Sequence, residues 1–399
     1  MFWQKRFDDF VTRAQGQDLP LRLQLWNGKE FELGPRPRVT VSIPSVSSLK
    51  YFISPHLGDL ANAYVEGEIR VDGELKDVVE VAASLAEKNG SENRSDSRRL
   101  FHTQQMDAEA IAYHYDVSNE FYSLWLDRNM VYSCAYFGDG NESLDVAQER
   151  KIDHILTKLR VQPGDTLLDI GCGWGALAIR AAEKYGAKVL GITLSQNQFD
   201  FAQERIKQAG LSDRCEVRLQ DYREVSGKFD RISSVGMFEH VGLKNLRDYF
   251  TRVNNLLADD GIVMNHGITS TAADSTSSPF GGGEFIERYV FPHGELAHIG
   301  LVLQEMAYGG LEPVDVESLR RHYALTLEHW AERFEANSAK LKAIAGEKRW
   351  RIWRMYLAGC AYGFANNWIS IYQVLAVKAR STRNLPLPLT RDYIYTRIH

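Results

Sequence analysis

Cysteine is scarce in this chain. Cys134, Cys172, Cys215 and Cys360 are the four among 399 residues, and no two form a Cys-x-x-Cys pair. Neither a zinc ribbon nor a disulfide framework is indicated, and free thiols fit a reducing compartment. An excess of positive charge is also missing. With 47 Lys+Arg against 52 Asp+Glu the formal net charge is −5. A chain dedicated to nucleic acid is usually basic, so nucleic acid is not an expected partner. The opening residues, MFWQKRFDDFVTRAQ, carry no apolar h-region or small-residue cleavage site, so no secretory signal is read and a cytoplasmic location is expected. No internal repeat is visible. From Met355 to Val377 no residue is charged, which is length enough for a bilayer span. That run holds Asn366, Asn367, Ser370 and Gln373, however, and amides in mid-span are costly. A buried or cleft-lining helix is the expectation.

Charged residues make up 25% and hydrophobic ones 44%, which excludes wholesale disorder. The length suggests about two or three domains. A polar stretch, NGSENRSDSRRLFHTQQM (Asn89–Met106), reads as a linker. It divides the chain into a small α+β domain at 1–90, a linker at 91–108 and a larger domain at 109–399. In the first, LRLQLW, TVSI and AYVEGEIRVDG (Ala63–Gly73) read as strands and VVEVAASLAEK as a helix. In the second, strands and helices alternate from TLLDI (Thr166–Ile170) onward. That pattern argues an α/β fold, a doubly wound and mostly parallel sheet with helices on both faces.

LLDIGCGWGALA is the most informative stretch. An apolar strand ends on Asp169 and Ile170. Gly171, Gly173 and Gly175 then let the backbone turn sharply and come close to a ligand. The spacing is G-x-G-x-G, not the G-x-G-x-x-G of dinucleotide binders. The loop resembles motif I of the class I S-adenosylmethionine (SAM) methyltransferases, where it lies under the methionine part of the cofactor. The next strand ends in GITLSQNQ without the carboxylate that often binds ribose; the amide of Gln198 or Gln196 can serve a diol instead, and Thr193 and Leu194 are expected at the cofactor beside it. The strand after that ends in LQDYR, which offers Asp221 to an adenine amino group and Tyr222 to its ring.

Reactive side chains gather at two further strand ends. FDRISSVG leads into MFEHVG with Glu239, and GIVMNHGI carries His266. Ligands of open α/β sheets bind beyond the carboxyl ends of strands, so both residues are expected to face the crevice of the glycine loop.

YHYDVSNEFYSLWLD, MVYSCAYF, LLDIGCGWG, GITLSQNQ, LQDYR, FEHVG, NHGI and FIERYVFPHGEL run in order from about residue 113 to 296. Together they resemble the cyclopropane-fatty-acyl-phospholipid synthases and, more widely, the mycolic acid cyclopropane synthase group. Ala297 is a departure, since that family more often has Pro there. The resemblance implies a class I SAM-methyltransferase (Rossmann-like) fold with C-terminal helices. It implies methylene transfer from SAM to the cis double bond of an acyl chain in a membrane phospholipid. It also implies a bicarbonate ion as base, held by Cys134, Glu239, His266, the Ile268 N–H and Tyr323, with Tyr132 and Ser133 near the methionine end of SAM. Phe238, Tyr136 and Tyr289 are aromatic candidates for stabilising a passing carbocation. A methyl- or methylene-branched product is the neighbouring outcome. Cys134 also invites a reading as nucleophile, and Cys172, Cys215 and Cys360 read as structural. A homodimer is expected from the resemblance.

Residues 340–399 hold eleven Lys+Arg and two acids, a net of +9, with Trp350, Trp353, Tyr356, Tyr362, Phe364, Trp368 and Tyr372 interleaved. Basic residues favour an anionic leaflet and tryptophan favours the interface. A peripheral contact with an anionic, unsaturated phospholipid membrane is therefore expected, beside the alternative of a solvated basic face on a packed helix.

Overall fold

The computed structural model describes residues 2–53, 55–89, 117–275, 282–291, 294–379 and 387–395. The linker expected at 91–108 lies outside the described residues. The chain divides into two compact units. One comprises Met1–Ser97, Ser277–Pro292 and Trp330–Trp368; the other comprises Arg98–Thr276, His293–His329 and Ile369–His399.

In the first unit, β1 (Leu21–Leu25) and β3 (Val39–Ile43) bury alternate residues, as a half-buried strand must. They form a four-stranded sheet with β2 (Glu30–Glu32) and β4 (Arg70–Asp72), in the order β2-β1-β3-β4. The strand expected at Ala63–Gly73 is confined to β4. Its start belongs to a Leu57–Val65 helix, because Leu60, Ala63 and Tyr64 fall at helical spacing on one buried stripe. The boundary drawn from sequence at the linker also differs from the observed division. The Glu347–Ala365 helix belongs to this unit and packs on the Leu75–Asn89 helix through Ala358, Leu75 and Val79. Trp350, Trp353, Tyr356 and Phe364 are buried, so these aromatics of the basic tail form core. Arg354 is buried too, donating to Glu335 at 2.9 Å and to the Tyr64 hydroxyl at 3.2 Å.

The uncharged run 355–377 is helical only as far as Ala365. The chain turns at Asn366 and Asn367, whose φ is +60°, and Ile369–Lys378 is strand β11. Charge is absent there because β11 is an interior strand, hydrogen-bonded on both sides and buried on both faces. No helix among the described residues is long and apolar enough to cross a membrane.

The second unit is built on a seven-stranded sheet, β10-β11-β9-β8-β5-β6-β7. Its strands are β5 (Thr166–Ile170), β6 (Lys188–Thr193), β7 (Cys215–Leu219), β8 (Phe229–Val235), β9 (Leu257–Ser270), β10 (Leu311–Ser318) and β11. β5 to β9 run parallel, and β10 and β11 add an antiparallel edge. One face packs on the helices Leu144–Lys158, Ala176–Tyr185 and Gln196–Gln208. The other packs on Leu246–Leu256 and Ile299–Tyr308. β5 is central, with β6 and β7 on one side and β8 and β9 on the other. The strand order thus reverses at its carboxyl end, where a ligand crevice forms. Ala297 lies in the core of this second face, and its carbonyl accepts the Ser270 N–H at 3.0 Å.

Candidate functional site

The loop after β5 is held in the left-handed region, with φ of +77° at Gly171, +55° at Gly173 and +84° at Gly175. Such values favour glycine. A Cβ on Gly173 would project into open space, whereas one on Gly175 would press on Ala202 at 3.1 Å. Gly173 therefore leaves room for a ligand, and Gly175 permits close packing of two helices. The Ile192 carbonyl accepts the N–H groups of Gly171 and Cys172 at 3.0 and 2.9 Å. Trp174 Nε1 donates to Asn119 Oδ1 at 2.7 Å, so the loop is also tied from outside the sheet.

This loop floors a cavity lined by Tyr132, Ser133, Asp169, Gly171, Gly173, Thr193, Leu194, Gln198, Asp221 and Tyr222. These are the residues expected at a SAM site, except that Gly175 is not on the lining. Asp169 is buried and accepts the Ser233 hydroxyl at 2.7 Å. Burial pushes its carboxyl up to about 6, against the opposing pull of Ser233 and Lys151. Gln198 Oε1 accepts the Thr193 hydroxyl at 2.7 Å, which turns the amide and fixes its orientation. Asp221 Oδ1 accepts the backbone N–H and the Nε of Arg223, while its Oδ2 is buried with no hydrogen-bond partner among the described residues. A buried acceptor of that kind demands a donor, and an adenine amino group supplies one. The residues present thus fit SAM.

A second wall is the segment 130–133. The Asp127 carboxylate accepts the N–H groups of Asn129 and Val131 at 2.9 and 2.7 Å. This stabilises the turn in which Met130 takes a φ of +58°. Gln148 Nε2 donates to the Ser133 carbonyl at 2.8 Å, and Lys151 Nζ to the Ser133 hydroxyl at 2.7 Å. Sequence reasoning missed Asp127, Gln148 and Lys151. The signal lay in polar residues at 148, 151, 154 and 158, the stripe on which the Leu144–Lys158 helix buries itself.

The five residues expected at the base site are placed differently. None of them lines the glycine-loop cavity, although Met237, His240 and Val241 around Glu239 do. β8 ends at Val235, so the Ile268 N–H on the longer β9 has no strand partner on that side. Glu239 Oε1 takes it, at 2.6 Å. Its Oε2 is buried without a partner among the described residues, and burial pushes the carboxyl up to about 7, with the Ile268 N–H opposing.

A Cβ on Gly267 would collide with Phe238 and come within 3.0 Å of Glu239 Oε1. Phe238 therefore covers the Gly267 face of β9, and alternate residues of a strand point to opposite faces. The His266 side chain projects from the other face, while Glu239 Oε1 sits at the strand edge on the Ile268 N–H. His266 lies in the layer of Lys151, Lys158 and Glu317. Burial and the two ammonium groups hold its imidazole well below the usual range. Gln373 Nε2 lies 3.1 Å from its Nδ1, and its Nε2 has no partner.

Cys134 is fully buried, and its thiol donates to the carbonyls of Ala135 (3.2 Å) and Leu319 (3.8 Å). Burial raises the thiol far above its ordinary value, which removes the nucleophile reading. Backbone bonds tie it to Glu239 indirectly, since the Leu319 N–H donates to Ile371 and Ile371 pairs with Ile268. Tyr323 is buried on the helix that follows Leu319, one turn from Thr326, whose hydroxyl accepts the Ala135 N–H at 3.0 Å. Tyr136 stacks between His154 and His322, with ring centroids 4.1 and 4.6 Å away. That sandwich covers both of its faces, and so removes it as a cation-stabilising surface. Tyr289 belongs to the first unit, where its hydroxyl donates to Glu66 at 2.9 Å.

The sheet order, the left-handed glycine loop and the acidic residues near the end of β5 and just after β7 define a class I SAM-dependent methyltransferase. Comparison with known proteins narrows this. A family model described as mycolic acid cyclopropane synthetase matches residues 102–374, and one described as a domain of unknown function (DUF7884) matches residues 9–94. A probable fatty acid methyltransferase of Pseudomonas putida is 47% identical over 384 residues, covering 96% of this chain and 98% of that protein. Cyclopropane mycolic acid synthase 1 of Mycobacterium tuberculosis is 37% identical over 273 residues, covering 66% and 95%. The crystal structure of mycolic acid cyclopropane synthase CmaA1 complexed with SAH and CTAB superposes with a TM-score of 0.63 at 35% identity, covering 68% of this chain and 98% of that one. The chain belongs to the mycolic acid cyclopropane synthetase family.

Proposed function

We propose that this enzyme transfers a methylene group from SAM to the cis double bond of an unsaturated acyl chain in a membrane phospholipid, giving a cyclopropane. The observation that carries the reading is the Glu239 carboxyl. It is buried, has one oxygen fixed on the Ile268 N–H and the other without a partner among the described residues, and burial pushes it up to about 7. SAM supplies an electrophilic sulfonium methyl, and the alkene π pair forms the new carbon–carbon bond. Ring closure then requires loss of one proton from that methyl. A proton acceptor works best with a pKa near the operating pH, and Glu239 Oε2 meets that condition in a site that excludes water.

A bicarbonate ion, which the resemblance implies, fits this arrangement only in part. Glu239 Oε2 has no partner among the described residues, but the Ile268 N–H is taken by Glu239. We therefore route the proton to Glu239 and derive no step through the ion.

A second reading, methyl transfer that leaves a branched chain, is favoured by the name of the Pseudomonas putida relative. The test is incubation with SAM and vesicles of cis-unsaturated phospholipid, followed by mass and NMR analysis. The proposed outcome is a gained methylene, loss of olefinic protons and upfield ring protons on intact phospholipid. A gained methyl branch, or reaction on free acid alone, contradicts it. A cytoplasmic, peripheral location and a homodimer go with this reading. Lys340 and Arg349 are exposed cations for an anionic surface.

A further inference from the structure

A buried ammonium is costly unless it is paired or hydrogen-bonded. Lys151 is 2% exposed and lies on the lining of the glycine-loop cavity. Its Nζ donates to Ser133 Oγ at 2.7 Å, and among the described residues no carboxylate stands within ion-pair distance of it. The acids around it are engaged elsewhere. Asp127 accepts two backbone N–H groups, and Asp169 Oδ1 accepts the Ser233 hydroxyl. Lys158, two turns further along the same helix, shows what a structural buried lysine looks like here, with Glu317 at 2.5 Å and Asp315 at 3.4 Å.

The geometry around Lys151 is directional. An ammonium has donors only, so its bond to Ser133 uses the serine oxygen as acceptor and leaves the hydroxyl proton to be donated onward. Gln148, on the same helix face, fixes the Ser133 backbone. The cavity therefore carries a rigid hydroxyl donor backed by a buried cation. It also carries a buried carboxylate, Asp169, that is not paired with that cation. Two such unpaired opposite charges complement an α-amino acid zwitterion.

We propose that Lys151 is a positioning residue for the amino-acid end of SAM, aiming the Ser133 hydroxyl at the α-carboxylate and supplying the compensating charge. This rests on the reading of the cavity as the SAM site. Burial pulls the free ammonium down to about 8, as expected of a cation whose counter-ion arrives with the ligand.

The test is calorimetric binding of S-adenosylhomocysteine and of its decarboxylated analogue, which keeps the amine. In Lys151→Met the homocysteine ligand should weaken by about 10- to 100-fold, the range that a hydrogen bond involving a charged group supplies. The decarboxylated ligand should change by less than about twofold, which also shows that the pocket remains folded. Lys151→Arg should recover part of the loss. Ser133→Ala, which keeps the lysine, should lose the same discrimination. Equal weakening of both ligands, or no weakening of either, overturns the assignment. Binding of neither ligand by the wild type overturns the cofactor reading itself.

Discussion

The Glu239 carboxylate holds the backbone N–H of Ile268 at 2.6 Å through one oxygen, and its other oxygen is buried and bare. The first exists because β9 outruns β8. The second leaves an acid whose stabilising hydrogen bonds, among the described residues, come from backbone. A glutamine in its place keeps the shape and loses the proton chemistry. Glu239→Gln should lower kcat by about 10²- to 10⁴-fold, the usual worth of a general base. Its affinity for S-adenosylhomocysteine should stay within about twofold of wild type.

The same residue gives a pH signature in stability. Its carboxyl is raised from 4.5 to about 7 in the folded protein. A raised carboxyl contributes stability that is fully present below the unfolded value and lost as pH rises through the folded one. Wild type should therefore lose stability relative to Glu239→Gln between about pH 4.5 and 7, by on the order of 3 kcal/mol. Asp169 shifts in the same direction but is common to both proteins and cancels in the difference. Urea unfolding at a series of pH values measures the gap, and a gap that does not change with pH contradicts the assignment.

Gly267 separates placement of the base from binding of the cofactor. An added methyl would strike Phe238 and crowd Glu239 Oε1. Gly267→Ala should cost about 1–3 kcal/mol in stability as an overpacked site and should depress turnover, while S-adenosylhomocysteine still binds. Gly173→Val should do the reverse. Its side chain enters open space at a φ of +55°, so ligand binding is lost through the filled cavity and the strained backbone.

Cys134 should resist alkylation in the native protein at neutral pH, because its thiol is fully buried, neutral and bonded to two carbonyls. Mass spectrometry after iodoacetamide treatment checks this. Rapid labelling at Cys134 without unfolding restores the nucleophile reading.

The glycine loop was legible in the sequence because every physical cue agreed there. A strand ended in an acid, glycines stood at the turn and a helix followed. Asp221, Gln198 and Ser133 were legible for the same reason, each standing at the end or entry of an element. Lys151 was not, because a lysine on an amphipathic helix reads as solvated until the packing shows which stripe is buried. The tryptophans of the basic tail carry the opposite ambiguity. Trp350 and Trp353 are spaced as an interfacial helix would have them, but burial against neighbouring helices gives the same spacing. The 355–377 run lacked charge for two separate reasons, a packed helix and then an interior strand, and composition cannot tell one from the other. His266 stands on β9 and Glu239 on the short helical turn after β8, so what each side chain meets depends on register and on that turn, which strand order alone does not give.

The central claim is that a proton leaves the transferred methyl at the Glu239 site. It is tested most directly with SAM carrying a trideuterated methyl group and vesicles of cis-unsaturated phospholipid. The account expects a saturated ring methylene that holds two deuterons, together with solvent uptake of the third. A product that keeps all three deuterons on a methyl branch contradicts it.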